Sequence, residues 1–178
     1  MGKISLSIGF TLGAVATVLL ALAVWLTVVY TGAYNVAATD KHVDLVRWAL
    51  DTTMHRSVTR RAGEIQEPER VSKAVIAAGA ETYATTCAHC HGAPGTERES
   101  WAANMRPEPP ELVKAAAEWD PREVFWIVKH GIKMSGMPAF GPEHDDEALW
   151  GIAAFVKQLP GMTAAEYEAA TGAAQHGQ

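Results

Sequence analysis

The sequence predicts an all-α chain with an N-terminal transmembrane helix, an amphipathic juxtamembrane helix and a compact helical domain. Three observations lead there. No charged residue lies between Lys3 and Asp40, and Ile4 to Tyr30 is mostly apolar. Beyond that run, apolar residues recur at three- and four-residue spacing, the period of a helix with one buried face. Gly and Pro punctuate these segments where helices should stop, at Gly92, Gly131 and Pro160-Gly161.

The first element is the apolar run. As a helix, its 27 residues would extend roughly 40 Å at about 1.5 Å per residue, enough to cross a bilayer with tilt. Trp25, Tyr30 and Tyr34 suit an aromatic belt at the far interface. Val36-Ala37-Ala38 resembles a signal-peptidase site, but the run is longer than the usual signal core, so residues 1–39 are expected to stay as an anchor.

Residues 40–61 predict a second, amphipathic helix, with Asp40 as its N-cap. Val43, Val46, Leu50 and Met54 recur at helical spacing, flanked by Leu45 and Trp48, while the arginines fall largely on other faces. Such a helix could lie on a membrane surface, pack on a partner subunit or serve as a solvated spacer. His42 and His55 on it are assigned no role. Gly63 and Pro68 mark a linker, so residues 40–69 are read as helix plus linker.

A helix from about Val71, with Val75, Gly79 and Tyr83 on one stripe, then runs into Cys87-Ala88-His89-Cys90-His91. Two cysteines two residues apart, followed directly by histidine, have the spacing of covalent haem attachment. Each thiol can add to one haem vinyl group, and the histidine then presents its imidazole to the iron. A thioredoxin-like redox pair would need a βαβ context, and a structural zinc site would need a second ligand pair; the chain has neither, and no third cysteine. Haem c is therefore the expected cofactor, held by Cys87, Cys90 and His91. Its attachment takes place outside the cytoplasm. That orients the chain, against a weak positive-inside count from Lys41, Arg47, Arg56, Arg60 and Arg61: N-terminus inside, remainder on the periplasmic side of the inner membrane, single-pass.

Gly92 and Ala93-Pro94-Gly95 end the motif helix, and a mostly polar loop follows to about Arg106. Pro107, Pro109 and Pro110 stiffen the next stretch, with Pro110 opening a short helix through Trp119. One carbonyl of this segment is expected to accept the Nδ1–H of His91 and fix the ring. Pro121 opens a helix to His130, stopped by Gly131, with Phe125, Trp126 and Val128 as wall candidates. In the following Ile132–Phe140 segment, Met137 is favoured over Met134 as the second axial ligand, a soft thioether opposite histidine. Gly136 would let the backbone approach the porphyrin, and Pro138 would fix the chain just after the ligand. His130 is the weaker candidate, its place at a helix end being explained by the dipole. Asp145 or Asp146 caps a last helix reaching Leu159, with Leu149, Ile152, Phe155 and Val156 inward. Residues 161–178 are alanine-rich and are read as a tail, with a short helix around 164–170.

Residues 70–160 resemble a class I, monohaem cytochrome c. In that family a Gly and an aromatic precede the haem motif, as Gly79 and Tyr83 do here. The last helix crosses them with an aromatic and a branched residue, matched by Phe155 and Ile152. A helix-Gly segment leads to the distal Met-Pro, as His130-Gly131 leads to Met137-Pro138, and Met-Pro-Ala-Phe is common in bacterial members. The resemblance implies a cytochrome c fold, three or more helices around one haem, and a His/Met axial pair. It implies an electron carrier, not an enzyme, with no catalytic residue of its own. Residues 1–61 resemble the leading segments of membrane-anchored bacterial cytochromes. The expected role is a free anchored carrier or the cytochrome subunit of a larger respiratory, photosynthetic or dehydrogenase complex, and the apolar surface of residues 40–61, more than an anchor needs, favours the subunit. The competing reading is a haem-based sensor or enzyme whose distal methionine leaves.

Charge bounds the partners. Residues 1–61 carry six Lys/Arg against three Asp/Glu, and residues 62–178 carry nine against seventeen, a net of −8. An acidic domain argues against nucleic acid and fits membrane lipid at the anchor and redox partners with a basic docking face.

Overall fold

The computed structural model describes residues 2–172, and side chains from Ser7 on. Residues 173–178 of the expected tail lie outside the described residues. Among the described residues there is no strand, only an isolated bridge between Ala93 and Thr96. The chain divides into two units, Met1–Asp40 and Lys41–Gln178.

The first unit is helix α1 (Gly2–Thr31) and the turn after it. From Ser7 to Thr31 the helix is long and apolar enough to cross a membrane. Its threonine hydroxyls are turned inward to their own backbone: Thr11, Thr17, Thr27 and Thr31 each donate to the carbonyl four residues earlier. No donor on these side chains then asks for water, which a lipid environment would not supply. Asp40 is not the N-cap expected of it. Its carboxylate accepts from the Asn35 side-chain amide, while Asn35 Oδ1 accepts from Ala37 N at 3.0 Å. The next helix accordingly starts four residues later, with Val43 at its cap position and no side-chain cap bond.

In the second unit, α2 (Asp44–Ala62) packs its C-terminal half on the helices that follow. Val58 and Ala62 are buried, and His55 stacks on Trp119 at 4.6 Å between ring centroids. Thr59 Oγ1 donates to Glu123 at 2.6 Å. Residues 41–62 therefore share a unit with the helical domain.

Helix α3 (Lys73–Thr82) is capped by Ser72, whose hydroxyl accepts from Val75 N. A single π-helical stretch, Tyr83–Cys87, carries it without a break into α4 (Ala88–His91). Gly92, at φ +70°, stops it. The loop to Arg106 is not wholly a surface feature: a 3-10 turn at Ala102–Asn104 buries Ala102 completely. Pro110 does not open the next helix, because its carbonyl is turned to another partner. That helix, α5 (Leu112–Ala115), begins after Glu111 and runs on as a 3-10 turn to Glu118. Lys157 closes this segment from across the domain, donating to the Ala116 carbonyl at 2.6 Å and to that of Trp119 at 2.5 Å.

Helix α6 (Pro121–His130) has the proline at its first position and a capping box of Asp120 with Glu123. Helix α7 (Asp146–Val156) is capped by Asp145, which accepts from Ala148 N at 2.9 Å. It ends three residues before the expected Leu159, which is nonetheless fully buried. Helix α8 (Ala164–Thr171) opens on a Thr163–Glu166 capping box. It is part of the core: Tyr167 is buried against Tyr83 and Phe155, at centroid distances of 6.4 and 6.2 Å. The core runs from these rings through Leu149, Ile152 and Leu159 to Val124, Val128 and the stacked pair Phe125–Trp150.

Candidate functional site

The site is assembled where α4 ends and where the chain returns after α6. Cys87 and Cys90 are both half-buried, and no disulfide joins them. Burial, then the neighbouring Cys90, pushes the Cys87 thiol up to about 12. A raised thiol of this kind is not a thiolate-activated redox centre, which a lowered pKa would produce.

His91 is held by one defined bond. Its Nδ1 lies 2.8 Å from the carbonyl oxygen of Pro110. A carbonyl only accepts, so Nδ1 carries the proton and Nε2 keeps its lone pair. Burial lowers the imidazole's pKa, with Arg98's charge acting the same way, and the Pro110 bond partly opposes them. A neutral ring with a fixed tautomer and a free Nε2 has the chemistry of a metal-ligating histidine. The Pro110 carbonyl is itself braced, since Arg98 donates to the adjacent Pro109 carbonyl at 2.6 Å and pairs with Glu108. Nothing in the local pattern singles out Arg98, an arginine in a polar loop.

Tyr83 anchors the other side of the same turn. Its hydroxyl donates to the Gly92 carbonyl at 2.6 Å, one residue past His91. The ring is fully buried, and burial holds its pKa well above the ordinary phenol range, so it remains a donor.

The methionine segment is pinned at both ends and tied in the middle. Phe140 N and Gly141 N donate to the carbonyls of Val128 and Lys129 near the end of α6. Ile132 N donates to Met137 O at 3.2 Å, Ser135 Oγ to Ile132 O at 2.7 Å, and Met137 N to Ser135 Oγ at 3.1 Å. Gly131 does more than stop α6. At φ +64°, it lies so close to the following chain that a Cβ would meet Met137 O and Pro138 C at 2.7 Å. Within this loop the two methionines differ sharply. Met134 sits at φ +60° with 87 % of its surface exposed. Met137 is half-buried and packs against the core that also borders Cys87. His130 is exposed and sits beside Trp126.

Gly136 has a neighbour from another loop: a Cβ there would stand 1.8 Å from the methyl carbon of Met105. Met105, a third thioether beside the Met137 backbone, had no signal in the sequence, because it comes from the distant polar loop.

Residues 74–156 match the family described as cytochrome C oxidase, cbb3-type, subunit III. No curated protein and no solved structure gives a significant match. The matched span begins with α3, contains both cysteines and His91, and ends with the last residue of α7. With a cysteine pair at attachment spacing and a neutral histidine beside it, the helical domain spanning residues 74–156 is that of a c-type cytochrome, with haem c as its cofactor.

Proposed function

We propose that this chain is a membrane-anchored monohaem cytochrome c that transfers electrons on the periplasmic side of the inner membrane, as a subunit of a larger membrane redox complex. The reading of a haem protein in electron transfer rests on the family match. The anchor rests on α1, and the complex on the family description, which names a subunit of an oxidase. The observation that carries the site is the His91–Pro110 bond, which leaves Nε2 free on a fixed ring.

Bound haem supplies a one-electron Fe(III)/Fe(II) couple. In this reading Cys87 and Cys90 would hold it through thioether bonds, and His91 Nε2 and the Met137 thioether would ligate its iron. Pro110, with Arg98 behind it, keeps the His91 ring from rotating and strengthens it as a donor. Gly131 and Ser135 hold the Met137 backbone in place, so the ligand is presented without a search through loop conformations. Haem iron held by both His91 and Met137 would have no position open to a substrate, which favours a carrier over an enzyme.

The test is carbon monoxide binding to the reduced full chain in detergent. A His/Met carrier binds little and slowly. Rapid, stoichiometric binding would overturn the reading and show that Met137 leaves its place.

A further inference from the structure

Helix α2 carries two opposite faces with different surroundings. His55, Val58 and Ala62, at helical spacing, lie against the rest of the domain. On the other side, Val46, Ala49, Thr53, Arg56 and Arg60 follow one another at intervals of three and four, and every one is exposed. This outer stripe is apolar in its first half and basic in its second. The two acids of the first half, Asp44 and Asp51, fall on the domain side of the helix instead.

The apolar half is broad. Leu45 and Leu50, which flank the stripe on its two sides, are 70 % and 43 % exposed. At about 100° per residue they stand roughly 140° apart around the axis. A single facing helix cannot cover both, whereas a fluid apolar medium can. The charge order points to the same medium. Apolar residues followed by arginines one to three turns on match an acyl boundary followed by a layer of phosphates. A helix of this pattern, with its acids turned away, is complementary to an anionic surface.

We propose that the outer stripe of α2 is a lipid-docking surface. Val46, Ala49 and their flanking residues sit at the acyl–headgroup boundary of an anionic bilayer, and Arg56 and Arg60 contact its phosphates. The inference rests on the anchor proposed above, since residues 32–43 then tether α2 within about 40 Å of the membrane, at about 3.5 Å per residue. Through Val58, Ala62 and the Thr59–Glu123 bond, a docked α2 would set the orientation of the haem domain on the bilayer, which a free tether would not do.

The test uses the full chain in phosphatidylcholine vesicles with and without phosphatidylglycerol. A photoreactive benzoylphenylalanine replaces Ala49 on the outer stripe or Asp51 on the domain side, and covalent haem absorbance checks folding. Expected are lipid adducts from position 49 several-fold above those from 51, increased by phosphatidylglycerol and reduced in Arg56→Gln/Arg60→Gln. Equal yields at the two positions, or protein adducts from position 49 in native membranes, overturn the inference. Alkaline carbonate extraction reads the anchor separately. A chain retained by the membrane without lipid adducts loses only the docking surface, and a chain released by carbonate loses the anchor and the docking surface together.

Discussion

Gly79 of α3 and Gly151 of α7 touch backbone to backbone: a Cβ on Gly79 would stand 2.3 Å from the Gly151 carbonyl carbon. The contact is reciprocal in kind, since a Cβ on Gly151 would stand 2.4 Å from the Val75 carbonyl oxygen. Two helices meet here backbone to backbone, with the Val75 side chain beside Gly151, and this crossing sets the angle at which α3 delivers the haem motif.

Gly79→Ala is therefore expected to destabilise the domain by about 3 kcal/mol or more, at the upper end of overpacking costs, because backbone cannot rotate out of the way. Gly63→Ala is the control. Gly63 lies at φ −62° with its nearest neighbours at 3.5 Å, so the change should be neutral within about 0.5 kcal/mol. Denaturant unfolding of the two variants measures both.

Tyr83 gives a pH prediction. Its folded pKa and that of Tyr167 are raised, mainly by burial, so folding favours the protonated phenols. Their contribution is complete below the ordinary tyrosine value near 10 and is lost as pH rises above it toward the folded values. Tyr83→Phe should cost about 1–2 kcal/mol at neutral pH, because the buried Gly92 carbonyl loses its donor. It should also flatten the loss of stability above pH 10. An unchanged alkaline slope in the variant would show that other groups govern it.

The parts of this architecture that were legible in sequence are those written in local signals. Pro121, Gly92 and Gly131 mark helix ends that the structure places where the residues put them. Gly79 was recognised by its place before the cysteines, but its partner Gly151 was not, because a small residue within an apolar run leaves no periodic trace. Tyr167 was missed for a related reason. One aromatic in an alanine-rich helix carries no pattern, and only the space beside Tyr83 and Phe155 draws it inward. Arg98 and Met105 act across distances in the chain that periodicity cannot span. The Asp40 cap failed because another partner, the Asn35 side chain, takes up the carboxylate.

Met137→Ala is expected to keep covalent haem while giving a high-spin spectrum and a markedly lower potential. Met134→Ala should leave the spectrum nearly intact, since its side chain points to solvent. Met105→Ala tests the neighbour at Gly136. It should keep the low-spin state, with at most a modest shift in potential. A high-spin form from either of the last two, and not from Met137→Ala, would reassign the ligand.

Fragments starting at Lys41 and at Glu64 should differ. The shorter one loses Val58, Ala62, the His55–Trp119 stack and the Thr59–Glu123 bond. Burial of Val58 alone contributes about 1.5–3 kcal/mol. Both fragments are expected to be soluble and haem-loaded when exported, with the shorter melting clearly lower. Equal melting temperatures would mean that α2 adds nothing to the domain.

The last prediction concerns docking of a redox partner. The fragment from Lys41 keeps the net charge of −5, because Lys3 and Asp40 cancel in what is removed, and residues 62–178 alone carry −8. Such a surface should steer a basic carrier toward it. The acids near Met137 do not contribute equally. Asp145 is engaged as the cap of α7, and Asp146 pairs with Lys129 at 2.6 Å, whereas Glu143 and Glu147 are exposed. Oxidation of the reduced fragment by a basic carrier, followed by stopped flow, should slow as salt rises, since exposed charges are screened beyond roughly 8–10 Å near 0.1–0.15 M. Glu143→Gln/Glu147→Gln should lower the low-salt rate a few-fold and leave the high-salt rate alone. Asp146→Asn should do less, because its charge is already balanced. With an acidic carrier the salt dependence should reverse. A rate with the basic carrier that is flat or rises with salt would remove steering from the account and favour transfer through a fixed apolar contact in a preassembled complex.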